Sequence, residues 1–252
     1  MKKLISLALI SAMLLMLTGC RAFSYWDGMT YNQTKRYICK ELEEKYGEEF
    51  TVVKTSKTGT GYLYANCAPK SNENNVFQVE VYGYKAGWRE LYDDYIEYLV
   101  GREMRAIINY TLSNYCKNYA AEVYISGLHS DDSGIRSSSE ATIKKYTDAL
   151  PNESCTIWIA FDKDEFGNDY NKVEMFLEEV VRNVSLTRCN IQCYYVSSDI
   201  VAQCNKNIND NHVEHNYNIL TDMAVLLSKH HPKYDYYYNG NGSGLVLRDV
   251  FN

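Results

Sequence analysis

From Leu4 to Leu17 the chain is apolar apart from Ser6 and Ser11, and only after Cys20 does it break into short patterned blocks. That opening run falls short of the roughly 20 apolar residues a membrane-spanning helix needs. The first patterned block begins at Thr30-x-x-Gln33, a capping box in which the hydroxyl and the amide each satisfy a backbone donor. Ile38, Leu42 and Tyr46 then recur on one helical face, and Gly47 stops the helix. Period two follows. It predicts strands over Phe50–Thr55, Tyr62–Ala68 and Val76–Tyr84, the first two joined by a turn at Gly59 and Gly61. In the third, Phe77, Val79 and Val81 alternate with Gln78 and Glu80, as in a sheet with one wet face. A long helix is predicted over Arg89–Tyr119, because Tyr92, Ile96, Val100, Met104, Ile108, Leu112 and Cys116 fall four apart. Such a stripe drifts around a 3.6-residue helix, so a bend or break near Gly101 is expected.

The second half changes character. Glu122–Ser126 reads as a short strand, residues 127–136 as a polar loop, and Ser137-x-x-Glu140 as the cap of a helix ending before Pro151. Cys155–Phe161 is nearly all apolar, which predicts a strand buried on both faces. Val173, Phe176, Leu177, Val180, Val181 and Val184 form the clearest helical stripe, and Asn190–Val196 is again a strand. This strand–helix–strand stretch permits a right-handed parallel crossover. Ser198 is read as the cap of a helix carrying Ile200, Val201, Cys204 and Ile208, and Ile219, Leu220, Met223 and Leu227 suggest a last helix. The tail has the form of a hairpin around an Asn/Gly-rich turn. The predicted class is α+β: a helix–antiparallel meander–helix first half (30–120) and a mixed β/α second half (121–252), with a soft boundary near residue 120.

The start of the chain carries an address. Lys2 and Lys3 precede the apolar run, which exits through Leu17-Thr18-Gly19-Cys20. A basic start, a short apolar middle and a small-residue exit are the layout of a removable secretory signal. The last four residues resemble the lipobox of bacterial lipoproteins. The resemblance implies that residues 1–19 are a signal peptide, that cleavage falls before Cys20, and that the Cys20 sulfur carries a diacylglycerol. Residues 20–29 are then a tether. Two acyl chains hold a protein stably, where one does not, so the expected location is the extracytoplasmic face of a membrane.

Removing 19 of 252 residues leaves 233, and losing Lys2 and Lys3 takes the formal charge from −6 to about −8. That balance argues against a nucleic-acid partner, which calls for a basic patch. It also argues against electrostatic docking of the chain onto anionic lipid, leaving the lipid on Cys20 as the membrane contact. The 24 tyrosines stand out. Each buries a large ring while keeping a wet hydroxyl, which suits half-exposed sheet and helix faces and binding platforms. Seven cysteines remain after Cys20, an odd number, mostly inside apolar patterns where the thiol behaves as a small hydrophobe. Cys189 and Cys193 lie four apart on one strand, roughly 13 Å between alpha carbons, too far to bond. No disulfide framework is predicted.

The element order over about residues 30–100, with Glu43-Glu44-Lys45-Tyr46-Gly47-Glu48-Glu49-Phe50 and Asp93-Asp94-Tyr95, resembles small domains of uncharacterised Gram-positive surface lipoproteins. It is also loosely similar to PepSY-like and cystatin-like arrangements. The resemblance implies a binding or inhibitory role and carries no site residues.

Candidate chemistry is sparse. Asp162-x-Asp164-x-x-Gly167-x-Asp169 invites comparison with a calcium loop, but Phe166 and Val173 occupy positions where that loop needs oxygen ligands. An acidic loop at a helix start also has a simpler cause in the helix dipole. His212-x-x-His215 is the nearest approach to a transition-metal site, and zinc would need further ligands, for which His230 and His231 are the remaining candidates. Gly-x-Ser-x-Gly, HExxH, GxGxxG and Walker patterns are missing from the sequence, and neither Asp93-Asp94 nor Asp131-Asp132 has a glycosidase context. No catalytic residue and no cofactor is assigned. Three readings follow: a non-catalytic module binding an envelope protein or peptide, a solute-binding lipoprotein with an interlobe cleft, and an envelope hydrolase or metal enzyme built on the histidines. A flat, tyrosine-lined sheet would favour the first, a deep interlobe cleft the second, and three converging side chains among the histidines of 212–231 the last.

Overall fold

A computed structural model describes residues 26–57, 61–83, 89–125, 133–150, 155–166, 170–184, 188–214, 226–227, 233–239 and 244–251. Helix α1 (Tyr31–Tyr46) starts at the predicted capping box. The Thr30 hydroxyl accepts from the Gln33 N–H at 3.3 Å, and the Gln33 side-chain oxygen accepts from the Thr30 N–H at 2.8 Å. Ile38, Leu42 and Tyr46 are buried along one side. Gly47 ends the helix with φ of 71° and donates its N–H to the Glu43 carbonyl; a side chain there would be strained.

Four strands follow in sequence order as an antiparallel meander: β1 (Phe50–Lys57), β2 (Tyr62–Pro69), β3 (Phe77–Gly83) and β4 (Arg89–Asp93). A bulge between Val52 and Lys54 shifts the alternation of β1, so Val53 points outward and Thr55 lies in register with buried Ala65. Such a bulge also blunts the free edge of the sheet against a further strand.

The helix predicted over Arg89–Tyr119 is shorter at both ends. Residues 89–93 are the fourth strand, helix α2 is Tyr95–Ser113, and Tyr119 already belongs to strand β5 (Tyr119–Ile125). The adjacent acids decide the changeover. Asp94 accepts from the Gln78 N–H at 2.7 Å, and Asp93 accepts from the Tyr95 N–H at 3.1 Å. Both acids are buried. Helix α2 runs through Gly101 without the expected break. Its drifting stripe stays covered because α2 packs on β5, on α3 (Ile143–Ala149) and on α5 (Tyr170–Val184). A β-carbon at Gly101 would meet Ile125 Cδ1 only at 4.0 Å.

The α3 cap also differs from expectation. Ser137 makes no capping bond and leads only a 3-10 turn, Ser138–Glu140. Thr142 caps α3 instead, accepting from the Lys145 N–H, while Glu103 holds the Ile143 N–H at 2.9 Å. Ile143 and Tyr146 are the residues α3 buries, which places the helix start beside them.

The second sheet has five strands in the order β5, β6 (Cys155–Asp162), β7 (Arg188–Val196), β8 (Lys233–Asn239), β9 (Gly244–Phe251). Strands β6 and β7 are parallel across α5, as the strand–helix–strand pattern permitted, and the other neighbours are antiparallel. Between β6 and α5 lies the short α4 (Lys163–Phe166), and α6 (Ser198–Glu214) follows β7. On one face Phe161 meets Phe176 edge-on at 5.8 Å, and Tyr115 meets Phe176 at 5.6 Å. On the other, Ala160, Tyr194 and Val196 pack with Val201, Cys204 and Ile208 of α6 and with Leu227. Burying a Phe, Leu or Val side chain is worth about 2 kcal/mol, so these two layers hold the unit together. Strand β6 is buried on both faces only from Ile159 onward; Thr156 and Trp158 are half-exposed. The predicted hairpin is β8–β9. Residues 215–225, where most of the last predicted helix falls, lie outside the described residues.

The chain divides into two compact units, one reaching to Glu73 and again over Val79–Leu91, the other Asn74–Gln78 and everything from Tyr92. The division cuts through β3 and β4 and falls before helix α2, whereas the sequence pattern put the change of character after it, near residue 120. The segment read as a tether over 20–29 is also shorter. Trp26 is already buried in the first unit and bridges Met29 through paired backbone bonds of 3.1 and 2.8 Å.

Candidate functional site

In the first unit, helix α1 packs on the sheet through β1, and the alternation of β2 and β3 puts Leu63, Ala65, Cys67, Val79 and Val81 inside. The intervening positions, Tyr62, Tyr64, Asn66, Glu80 and Tyr82, therefore share the outer face. Across the β1–β2 ladder, Ser56 stands opposite Tyr64 and Lys54 opposite Asn66, adding two polar residues to that face.

Three tyrosines dominate it. The Tyr62 and Tyr82 rings meet edge-on at 87° with centroids 4.6 Å apart, a favoured aromatic geometry. Tyr62 keeps 39% of its surface exposed and Val53, pushed out by the bulge, 41%. The Tyr82 hydroxyl donates to Glu80 Oε2 at 2.5 Å. That bond, then partial burial, raises the Tyr82 pKa far above its ordinary value of 10. The hydroxyl is therefore a fixed donor at physiological pH, with its proton aimed at a carboxylate. What results is a half-exposed aromatic platform ringed by an amide, a carboxylate, a hydroxyl and an amine. It offers stacking and hydrogen bonds but holds no nucleophile paired with a base.

The residues singled out for chemistry behave differently. Asp162 is buried at the end of β6 and spends its carboxylate inside the fold. Oδ2 accepts from Asn118 Nδ2 at 2.7 Å and from the Ser198 hydroxyl, and Oδ1 accepts from the Asp164 N–H at 3.0 Å. The Ser198 bond is the main cause of its lowered pKa. Ser198 is thus a clamp on Asp162; the first turn of α6 is closed instead by the Ser197 carbonyl, which accepts from Ile200 and Val201. Asp164 is exposed in α4, and neighbouring Glu165 ties the Lys117 and Asn118 N–H groups at 2.7 and 2.8 Å. Among the described residues no three His, Cys, Asp or Glu side chains converge on a metal position. His212 belongs to α6 with its side chain outside the described set, and His215, His129, His230, His231, Asp131, Asp132, Gly167 and Asp169 lie outside the described residues, as does Cys20.

Two groupings escaped the sequence pattern. Cys155 and Cys189 face each other at the start of the parallel pair with sulfurs 3.2 Å apart; all seven described cysteines are thiols. Burial pushes the Cys189 thiol well above 9 and the Cys204 thiol up to about 11, so both are protonated and unreactive. The second grouping is a buried ion pair. Arg105 of α2 donates through Nε at 2.9 Å and through Nη2 to Glu122 Oε1, which also accepts the Val123 N–H of edge strand β5. Only the parallel register and the edge position place these residues together, and neither is readable from spacing.

The chain is similar in fold to a DUF5037 family protein. That protein, from Ruminococcus gnavus ATCC 29149, has a crystal structure matching with a TM-score of 0.58 over 84% of this chain and 94% of its own, at 18% identity. Identity at that level speaks for the fold alone. No family profile matches the sequence, and no curated protein matches it.

Proposed function

We propose that this protein is a lipid-anchored extracytoplasmic binding module that holds an envelope protein or peptide on the outer face of its four-stranded sheet, without catalysing a reaction. The observation that carries the reading is the Tyr62/Tyr64/Tyr82 platform on the face opposite helix α1. Tyrosine supplies large, rigid contact area at low entropic cost, and it concentrates at binding surfaces for that reason. The lipobox-like Leu17–Cys20 supports the address. A sheet face backed by a helix is a rigid support, so the rings are presented in one arrangement.

The test is site-specific photocrosslinking in the producing cells. A photoreactive phenylalanine at position 64 is expected to give one dominant envelope adduct that disappears when Tyr62 and Tyr82 are both alanine. Tyr110, 74% exposed on helix α2, is the control position. The same adducts from positions 64 and 110, or none from 64, would refute the platform.

A further inference from the structure

The first unit is electrically polarised along its strands. One end of the sheet is marked by Lys57 opposite Leu63, the other by Phe50 opposite Pro69. The N-terminal segment closes on the first end: the Trp26 indole N–H donates to the Gly61 carbonyl at 2.9 Å, and Arg89 stacks at 5.8 Å from the Trp26 ring and 5.7 Å from that of Tyr37. Arg89 also pairs with Asp27 at 2.8 Å. Gly83 is part of this knot, because a β-carbon there would lie 3.0 Å from the Trp26 ring. Helix α1 starts at this end and delivers Gly47 and Phe50 to the other.

Charge follows the same axis. At the Trp26 end stand Lys35, Arg36 and Lys57, with Arg36 and Lys57 exposed and Lys35 lying 5.3 Å over the exposed Tyr31 ring. Of the acids described at that end, Asp27 is bound to Arg89 and Glu80 to the Tyr82 hydroxyl, while Glu90 follows Arg89 in β4, so the basic excess there is small but positive. Towards the other end come Glu43, Glu44, Glu48, Glu49 and Glu73, only partly offset by Lys45 and by the Lys40–Glu44 and Lys70–Glu49 pairs. The strongly negative whole-chain charge hides this separation.

We infer that the Trp26 end of the first unit rests on an anionic lipid head-group layer, with Lys35, Arg36 and Lys57 in contact with it and the acidic end held away. The inference rests on the reading of Cys20 as the lipid-bearing residue. Six residue steps lead from Cys20 to Trp26, a reach of at most about 22 Å at 3.3–3.6 Å per residue. The anchor thus delivers this end to the membrane, whatever path the tether takes. Each Lys or Arg close to an anionic surface favours contact about fivefold, so three together favour this orientation by on the order of a hundredfold. Exposed Tyr31 and Tyr62 suit the interface, where an amphipathic ring sits at head-group level. Net charge governs whether a chain comes to a membrane from solution. Charge separation governs which way a chain already tethered there faces. In this orientation the strands stand away from the bilayer and the tyrosine platform faces sideways, towards a partner that is itself close to the membrane.

The experiment places the lipidated chain, from Cys20 onward, in vesicles of mixed phosphatidylglycerol and phosphatidylcholine carrying a trace of head-group-photoreactive lipid. The mass of the N-terminal peptide is read first; absence of acyl chains there refutes the anchor, and the orientation with it. With the anchor present, lipid adducts are expected on residues 31–36, Lys57 and Tyr62 several times more often than on 43–49 and 70–73. The bias should vanish in pure phosphatidylcholine and in the Lys35→Glu/Arg36→Glu/Lys57→Glu variant, whose folding is checked by its thermal melt. Equal labelling of both ends in the anionic vesicles, or a bias unchanged in phosphatidylcholine, would overturn the orientation while leaving the anchor standing. The lipid comparison needs no variant, so a misfolded triple mutant does not obscure the result.

Discussion

Asp162 shows how one side chain can look like a ligand in sequence and serve as a clamp in structure. Its carboxylate joins Asn118 before β5, Asp164 after β6 and Ser198 at the start of α6, so it ties three chain segments at one corner of the five-stranded sheet. Hydrogen bonds to a buried charge are worth about 1.5–3 kcal/mol each, with losses that do not add; Asp162→Ala is expected to cost about 3 kcal/mol in a denaturant melt. The pH dependence has a fixed sign. The folded pKa lies below the unfolded 3.8, so this stabilisation is complete above 3.8 and is lost as pH falls through the depressed folded value. Wild type and Asp162→Asn should therefore converge in stability in strong acid; a constant gap across the acid range would disprove the clamp.

Glu122 is the other side chain whose loss should be costly. It lies 3% exposed under a two-pronged bond from Arg105 while capping a free edge N–H of β5. Removing one partner of a buried pair strands the other, typically at about 3–5 kcal/mol. Glu122→Ala is expected to lose stability in that range, and the Arg105→Leu/Glu122→Leu double variant to recover much of it. Equal losses in single and double variants would mean that the pair is not coupled. Thiol reactivity should be graded in the same residue-by-residue way. Cys39 is half-buried on α1 and the other six are more enclosed, so mild alkylation of the native protein should label Cys39 first. Peptide masses will tell, and early labelling of Cys155 or Cys189 would mean that the β6–β7 register opens readily.

At the scale of elements, what the sequence revealed was whatever local periodicity controls. The capping box at Thr30, the stop at Gly47, the three strands of the meander, the stripe of α5 and the terminal hairpin all depend on neighbours within a few residues. Thr30→Ala should accordingly cost about 1 kcal/mol through α1 alone, read as a lowered melting midpoint with unchanged cooperativity; a larger loss would give Thr30 a role beyond its cap. Strand β4 was hidden because Tyr92 continues the four-residue stripe of α2. The buried contacts of Asp93 and Asp94 that separate the two elements involve Gln78, far off in sequence. The α3 start was misplaced for a similar reason, since Glu103 fixes the Ile143 N–H from another helix. Of the candidate site, the wet outer face of β3 was legible through Gln78 and Glu80. The convergence of Tyr62, Tyr64 and Tyr82 was not, because it depends on which strand lies beside which.

At the scale of the whole molecule, the anchor and the two units make separate demands. The signal-like start and Cys20 would determine where the chain resides, and among the described residues both units build their cores from Trp26 onward. Folding and tethering should therefore come apart cleanly. Cys20→Ala, expressed in the producing cells, is expected to leave the thermal melt of the body within about 0.5 kcal/mol of wild type, as substitutions remote from packing do. On the proposed anchor its distribution should change completely, because both acyl chains would depend on the one sulfur and no described helix is long and apolar enough to cross a membrane. Fractionation with mass analysis of the N-terminal peptide reads both at once. A variant that still sediments with membranes through a lipid would remove the anchor and the membrane-facing orientation built on it. A variant that is released but still crosslinks its partner through position 64 would show that the tyrosine platform recognises on its own, with the tether contributing only proximity.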